Sequence, residues 1–233
     1  MTAKLLSIMI GYLFGCVLTA EIVAHAVVGK KASELGETGN PGMANIMASL
    51  GFLPGIITLA GDLGKCIAAA LISYELFHDS GWIVTLYAGL GCTLGHDFPF
   101  WRRFRGGKGV ATTSMGIGLY SFLPGLIANI IGMIIVFLTK YLCIGGPAIP
   151  FFFMLWLLAV GDAEAAGVSA VLTLLSLMAH GPAIKNIKMG KTKETDVIGA
   201  IRKKVKNDRT QNNPQSRKGE RGDYAAERLG KSK

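Results

Sequence analysis

Residues 109–139 form a block of 31 consecutive positions without a charged side chain. A mostly apolar segment of about 20 residues is long enough to cross the hydrocarbon core of a bilayer as a helix. Five further apolar runs lie at residues 5–28, 52–77, 82–94, 147–160 and 165–179. This distribution predicts an all-α integral membrane protein, and it excludes disordered, collagen-like and disulfide-scaffold chains.

The uncharged block can be read as one long helix or as two short ones. Pro124 and Gly125 stand in its middle and favour a break, which divides the block into runs at 110–122 and 126–138. The chain then has about seven transmembrane helices, several of them short. With that count, all Lys and Arg residues outside the apolar runs except Lys4 fall on one side of the membrane. The positive-inside rule accordingly places the N-terminus outside and the C-terminus in the cytoplasm.

The excess of positive charge belongs to the end of the chain. From Lys185 onward lie 15 of the 24 Lys and Arg residues but only 6 of the 15 Asp and Glu residues. We therefore expect a polytopic transmembrane domain at 1–184 and a basic cytoplasmic tail at 185–233, with a short amphipathic helix over 195–206 and disorder beyond it. Such a tail is typical of contact with anionic lipids. Since Tyr224 is its only aromatic residue, nucleic-acid binding is not expected.

The first apolar run, 5–28, has two interpretations. Lys4 and the small residues Ala24 and Ala26 fit a signal peptide with its cleavage site. The run is longer than the apolar core of a typical signal peptide, and further apolar runs follow it. A retained helix is therefore the favoured interpretation.

Cysteine and histidine spacing bears on metal binding. The four cysteines form no CxxC pair, and the four histidines are scattered along the chain. This pattern predicts buried free thiols and no metal site.

A glycine-rich segment at residues 36–45 precedes one of the apolar runs. Glycines allow backbone amides to converge on an anion, and Thr and Asn side chains add neutral hydrogen-bond donors. The residues with these properties are Thr38, Gly39, Asn40, Gly42 and Asn45. The segment is interpreted either as an anion-binding loop or as an ordinary connection between helices.

A second glycine-rich segment carries positive charge. Arg105, Gly106, Gly107, Lys108 and Gly109 stand directly before an apolar run. A helix N-terminus approached by glycines and a lysine suits a phosphate group. The spacing is not that of a Walker A loop, because the first glycine of that pattern would fall on an arginine. The alternative is a helix-start turn whose cations only set the orientation of the chain in the membrane.

Other polar side chains lie inside or at the ends of the apolar runs. Asp62 and Lys65 stand three positions apart and are expected to pair on one helix. His180 stands at the end of the last run. A histidine there could position or deprotonate a hydroxyl group. It could equally be a helix C-terminal residue that the helix dipole favours.

Taken in this order, the segments resemble the signature of the bacterial acyl-phosphate glycerol-3-phosphate acyltransferase family, PlsY. The family's Gly-Ser-Gly-Asn-x-Gly-Ala-Thr-Asn segment is matched by residues 37–45, its Gly-His-x-x-Pro segment by 95–99 and its Gly-Gly-Lys-Gly-Val-Ala-Thr segment by 106–112. Its final His…Gly segment is matched more weakly by His180 and Gly190. The resemblance extends over about residues 8–194.

This resemblance implies transfer of a fatty acyl group from acyl phosphate to the sn-1 hydroxyl of glycerol 3-phosphate. The products would be lysophosphatidic acid, for phospholipid biosynthesis, and inorganic phosphate, with no cofactor. It also implies a multi-pass protein of a bacterial-type plasma membrane, in contact with membrane lipid, whose active-site loops face the cytoplasm. The implied catalytic residues are Lys108 and His180, and the implied phosphate-binding residues are Thr38, Gly39, Asn40, Gly42, Asn45, Arg105, Gly106, Gly107 and Gly109. The oligomeric state does not follow from it.

The chain departs from the family pattern at several polar positions. Ala48, Gly146 and Ala183 stand where the family has arginine, serine and asparagine. An arginine lost from a phosphate site removes a charge-assisted contact. A non-catalytic relative that binds acyl phosphate or anionic lipid is therefore one alternative function. A small-anion transporter is another, although the sequence shows no inverted repeat.

Overall fold

The computed structural model describes residues 1–36, 39–187 and 189–190, and the regular structure in these ranges is helical. The α-helices are α1 (Thr2–Gly15), α2 (Thr19–Val28), α3 (Met43–Leu50), α4 (Phe52–Phe77), α5 (Ile83–Asp97), α6 (Val110–Tyr120), α7 (Phe122–Thr139), α8 (Leu142–Ala159) and α9 (Ala163–Ile187). Short 3₁₀ turns lie at Ala32–Glu34, His78–Ser80 and Phe100–Arg102. The amphipathic helix expected at 195–206 lies outside the described residues, and the division at residue 184 stays a prediction.

Helices occupy every predicted apolar run, which confirms the all-α membrane fold. Five helical segments in the described residues are long and apolar enough to cross a membrane: Thr2–Val28, Phe52–Ser80, Phe122–Thr139, Leu142–Ala159 and Ala163–Ile187. Helix α5 has 15 residues and α6 has 11, which is short of the roughly 20 that a perpendicular span requires. Seven transmembrane crossings and the orientation of the termini stay predictions.

The uncharged block is broken, as predicted, but three residues before the proline. Helix α6 ends at Tyr120, and α7 begins after Ser121, whose backbone is extended. Pro124 lies in the first turn of α7. Backbone amides there have no acceptor within the helix, so proline costs no hydrogen bond.

The first apolar run is also broken, which the sequence did not predict. Helix α1 ends at Gly15 and α2 begins at Thr19, so backbone carbonyl groups between them lose their helical partners. Lys65 Nζ donates hydrogen bonds to the carbonyl oxygens of Gly15 and Val17 at 3.3 and 2.8 Å. Trp101 Nε1 donates to the carbonyl oxygen of Cys16 at 2.8 Å. Because an unsatisfied carbonyl inside a membrane costs several kcal/mol, these contacts permit the break.

Helices α1 and α5 pack with their backbones nearly touching. A β-carbon on Gly11 or Gly15 would overlap a carbonyl oxygen of α5, and one on Gly91 or Gly95 would overlap a carbonyl oxygen of α1. Small residues at such spacing let membrane helices approach closely. Retention of the first run as a helix stays a prediction.

The buried core lies between α5, α6, α8 and α9. Its larger side chains are Leu86, Leu90, Ile117, Ile149, Phe153, Leu157 and Leu172. Helix α7 instead exposes Phe122, Leu123, Phe137 and Leu138, which is typical of a face in contact with lipid. The four cysteines are free and buried, as predicted.

Candidate active site

Lys108 lies on the segment that joins α5 to α6, two residues before α6 begins. Its side chain is half-buried. Burial lowers the pKa of the Lys108 ammonium group below the usual lysine value, because a low-dielectric environment disfavours the charged form. A half-buried lysine beside a helix N-terminus is suited to bind a phosphate group.

The glycines before Lys108 attach the segment to the end of α5. The amide of Gly106 donates to the carbonyl oxygen of Asp97, and that of Gly107 donates to the carbonyl oxygen of His96, both at 2.9 Å. A β-carbon on Gly106 would overlap the His96 carbonyl oxygen, and one on Gly107 would overlap His96 Nε2. Both glycines are therefore required for close packing, and their amides already have acceptors.

Unused backbone donors lie immediately after those glycines. Within the described ranges, the amides of residues 108–112 donate to no backbone carbonyl. Gly109 precedes α6 with φ at 62°, in the left-handed region that favours glycine. The amides of residues 109–112 belong to this turn and to the first three residues of α6, directly after Lys108 in the chain. They are the part of the expected phosphate site that the structure leaves available.

Threonine hydroxyl groups hold the start of α6 on α5. Thr112 Oγ1 donates to the carbonyl oxygen of Gly109, and Thr93 Oγ1 donates to Thr112 Oγ1, each at 3.1 Å. All three residues are buried. The position of the Lys108 segment is therefore determined at both of its ends by α5.

His180 on α9 is fully buried and offers one free ring nitrogen. Its Nδ1 lies 2.9 Å from the carbonyl oxygen of Ser176. Since a carbonyl oxygen only accepts, Nδ1 carries the proton in this arrangement and Nε2 is the acceptor. Nε2 is buried and has no hydrogen-bond partner among the described residues. A buried unpaired acceptor is uncommon and suits a ligand hydroxyl.

His180 and Lys108 converge although they are 72 positions apart in the chain. A β-carbon on Gly146 would lie 3.3 Å from His180 Nε2 and 3.2 Å from Cγ2 of Val110, the first residue of α6. Lys108 stands two positions before Val110 in the chain. The structure thus brings the two predicted catalytic residues to the junction of α6, α8 and α9.

The 39–45 segment is held by contacts near its own position in the chain. Asn45 Nδ2 donates to the carbonyl oxygens of Ala32 and Leu35 at 3.2 and 3.0 Å. The amide of Gly42 donates to the carbonyl oxygen of Asn40 at 2.9 Å. Thr38 lies outside the described residues. A role for Thr38, Gly39, Asn40, Gly42 and Asn45 in phosphate binding stays a prediction.

The remaining expected positions vary in exposure. Arg105 is exposed, and Ala48 is exposed on α3. Ala183 is half-buried on α9, close to one turn after His180. Phosphate binding by Arg105, and the effect of alanine in place of the family's polar residues at 48 and 183, stay predictions.

Asp97 is a buried carboxyl group that sequence reasoning did not select. It is 3% exposed, and neither carboxyl oxygen has a hydrogen-bond partner within the described part of the chain. A β-carbon on Gly109 would lie 2.9 and 3.0 Å from the two oxygens. The sequence feature that could have identified Asp97 is its position beside His96 at the end of an apolar run.

Comparisons with known proteins agree with this geometry. A family model described as "Glycerol-3-phosphate acyltransferase" matches residues 5–190. Glycerol-3-phosphate acyltransferase 1 of Lactobacillus johnsonii is 37% identical over 202 residues, which cover 87% of this chain and 97% of the relative. The protein of the same description from Lactobacillus acidophilus is 36% identical over 204 residues, with the same coverage of both chains.

A solved structure has the same architecture. It is the crystal structure of PlsY, an integral membrane glycerol 3-phosphate acyltransferase, in its glycerol 3-phosphate form. The TM-score is 0.74 at 25% sequence identity, and the match covers 85% of this chain and 98% of that one.

Proposed function

The chain belongs to the glycerol-3-phosphate acyltransferase family, and from that premise we propose that it acylates the sn-1 hydroxyl of glycerol 3-phosphate with acyl phosphate as the donor. The family membership makes it an acyltransferase and a multi-pass membrane protein. The products are lysophosphatidic acid and inorganic phosphate. The observation that carries the proposal is the free, buried Nε2 of His180 near the start of α6, where backbone amides are unpaired.

Lys108 and the amides of residues 108–112 hold the phosphate of a substrate in this proposal. The ammonium group supplies a full positive charge, and the amides at the helix start supply oriented dipoles. Burial strengthens both interactions because water screens them less. Charge that develops on the phosphate oxygens during the reaction is stabilised by the same groups.

His180 positions the reacting hydroxyl group. With its proton on Nδ1, the imidazole accepts a hydrogen bond from the sn-1 hydroxyl through Nε2. The hydroxyl oxygen attacks the acyl carbonyl carbon, a new ester C–O bond forms, and the bond between that carbon and the phosphate oxygen breaks. As that bond breaks, the hydroxyl proton leaves its hydrogen bond to Nε2 and passes to an oxygen of the departing phosphate. Acyl phosphate is already activated, so orientation of the two substrates supplies most of the catalysis.

The acyl donor must reach this site from the bilayer. Helices α7 and α9 expose large apolar side chains, among them Phe137 on α7 and Leu174 on α9. The fatty acyl chain of the donor can pack against such an apolar surface. Its phosphate group must lie at the polar end of the bundle. In this proposal the loops that carry Lys108 face the cytoplasm, where glycerol 3-phosphate is available.

The experiment that tests the proposal is an assay of detergent-purified protein with palmitoyl phosphate and glycerol 3-phosphate. Phosphate release and lysophosphatidic acid are both measured, since hydrolysis of the donor alone releases phosphate without lipid product. Wild-type protein is expected to form both products, and the Lys108→Ala variant is expected to form neither at a comparable rate. The Lys140→Ala variant is the matched control for loss of one cation.

Absence of lysophosphatidic acid from folded wild-type protein would contradict the proposal. Activity with another phosphorylated acceptor would then assign a different substrate. Binding of acyl phosphate without turnover of any acceptor would instead favour a non-catalytic relative, with Ala48 and Ala183 as the positions to restore.

A further inference from the structure

A pocket of about 560 Å³ lies between α2, the segment that follows α2, and the turn that follows α5. Its lining includes Glu21, Lys30, Lys31, Trp101, Arg102 and Arg103. It includes neither Lys108 nor His180. The proposed catalytic function uses none of the residues that line it.

The pocket carries an excess of positive charge. Glu21 is the only carboxylate of its lining in the described residues, and Arg102 pairs with it at 2.8 Å. The other oxygen of Glu21 accepts a hydrogen bond from the amide of Ala32 at 2.9 Å. Among the described residues, Lys30, Lys31 and Arg103 have no carboxylate partner within 4.0 Å. Three cations are therefore available to an anion.

Aromatic side chains stand beside these cations. Trp101 is 51% exposed although its indole nitrogen is fixed on the carbonyl oxygen of Cys16. Phe100 and Phe104, which flank the arginines, are 58% and 61% exposed. Exposed aromatic rings next to Lys and Arg at the end of membrane helices are typical of the lipid headgroup region. A pocket for a soluble anion has no need of such rings.

The backbone of the same turn is strained. Arg103 and Phe104 have φ values of 53° and 58°, in the left-handed region that bulky residues rarely adopt. Backbone strain of this kind is maintained where the surrounding structure fixes it, often at ligand sites. Here it turns Arg103 toward the pocket while Phe104 stays exposed.

We propose that this pocket binds the phosphate group of an anionic lipid from the surrounding bilayer. Lys30, Lys31 and Arg103 contact the phosphate, and the exposed rings of Trp101 and Phe104 lie among the headgroups and upper acyl chains. Arg102 and Glu21 form the fixed wall of the site. The lipid phosphate and free phosphate share this chemistry, and the experiment below distinguishes them.

Trp101 serves as the probe, because it lines the pocket and only two other tryptophans, Trp82 and Trp156, are present. The full chain with Trp82→Phe and Trp156→Phe is reconstituted in phosphatidylcholine vesicles. One set of vesicles contains a small fraction of brominated-chain phosphatidylglycerol, which is anionic. A parallel set contains the same fraction of brominated-chain phosphatidylcholine. Stronger quenching by the anionic lipid is expected, with about a fivefold loss of apparent affinity for Lys31→Gln or Arg103→Gln.

The controls separate this pocket from general electrostatics and from the active site. Lys140→Gln removes one cation elsewhere, and Lys108→Ala removes the cation of the proposed active site; both are expected to retain the quenching. Equal quenching by the two lipids, or equal loss in the Lys140→Gln variant, would overturn the proposal. Release of the quenching by added inorganic phosphate would overturn the lipid assignment and leave a site for soluble phosphate.

A second measurement does not depend on the tryptophan replacements. Anionic lipid that copurifies with the chain in mild detergent is quantified by mass spectrometry for the wild type, Lys31→Gln/Arg103→Gln and Lys140→Gln. Selective loss of lipid from the double variant is expected. Equal amounts in all three would overturn the proposal.

Discussion

The ammonium nitrogen of Lys65 lies 2.9 Å from Nδ1 of His96 and 2.8 Å from the Asp62 carboxylate, inside the helical bundle. Since the ammonium group only donates, His96 Nδ1 accepts and the ring proton resides on Nε2. The Nε2 edge of the His96 ring packs against Gly107, the residue before Lys108. A cluster buried between α4 and α5 thus supports the segment that carries the proposed phosphate site.

Removal of the Lys65 charge should destabilise the protein. In the Lys65→Met variant, Asp62 remains buried without its partner, and the carbonyl oxygens of Gly15 and Val17 lose a donor. Loss of one member of a buried ion pair costs about 3–5 kcal/mol. Thermal unfolding in detergent, followed with a thiol-reactive dye that detects the buried cysteines, should show a lower midpoint. The matched control is Lys140→Met. An unchanged midpoint for Lys65→Met would contradict a stabilising role for the cluster.

Gly107→Ala should reduce turnover more than stability. Its β-carbon would overlap His96 Nε2, so either the ring or the Lys108 segment must move. A displacement of about 1 Å at a catalytic group can lower the rate about 100-fold. Gly118→Ala is the control, because a β-carbon there meets open space. The measurement is lysophosphatidic acid formation together with the unfolding midpoint, and comparable rates for both variants would be inconsistent with the packing argument.

His180→Gln should cause a modest loss. If Nε2 only positions the hydroxyl, one neutral hydrogen bond is weakened, and the rate falls about tenfold at an unchanged pH profile. A general base would contribute about 100- to 10,000-fold, and its replacement would also remove the acidic limb of the profile. The rate at saturating substrates, recorded across pH, distinguishes these outcomes. A loss in the larger range would show that His180, rather than the departing phosphate, accepts the proton.

Affinity for glycerol 3-phosphate should decrease at alkaline pH earlier than an ordinary lysine would predict. Burial lowers the pKa of Lys108, so the side chain loses its positive charge as the pH rises through that lowered value. Below this pKa the charged side chain binds the phosphate group, and above it the neutral amine binds phosphate weakly. Arginine stays charged throughout this range. The Lys108→Arg variant should therefore shift the alkaline limb of the KM profile to higher pH. The limb would stay in place in Lys108→Arg if another group caused it.

Several features of the protein are determined by the sequence alone. The long apolar runs form helices, because a helix satisfies its own backbone hydrogen bonds in a bilayer core that holds no water. The pairing of Asp62 with Lys65 follows from their spacing on one helix and is confirmed at 2.8 Å. The Lys108 segment could be assigned to a helix start because its glycines, cations and the apolar run after it are contiguous in the chain.

Only the tertiary structure decided where these local elements meet and which donors stay free. The first run breaks after Gly15 because Lys65 and Trp101, distant in sequence, satisfy the exposed carbonyl groups. The amides of Gly106 and Gly107 are used by α5, whereas those of residues 108–112 are not. His180 lies close to Val110, two residues after Lys108, where Gly146 has no side chain to fill the junction. Such facts depend on contacts between helices far apart in the chain, and no local pattern of residues encodes the distance between two helix surfaces.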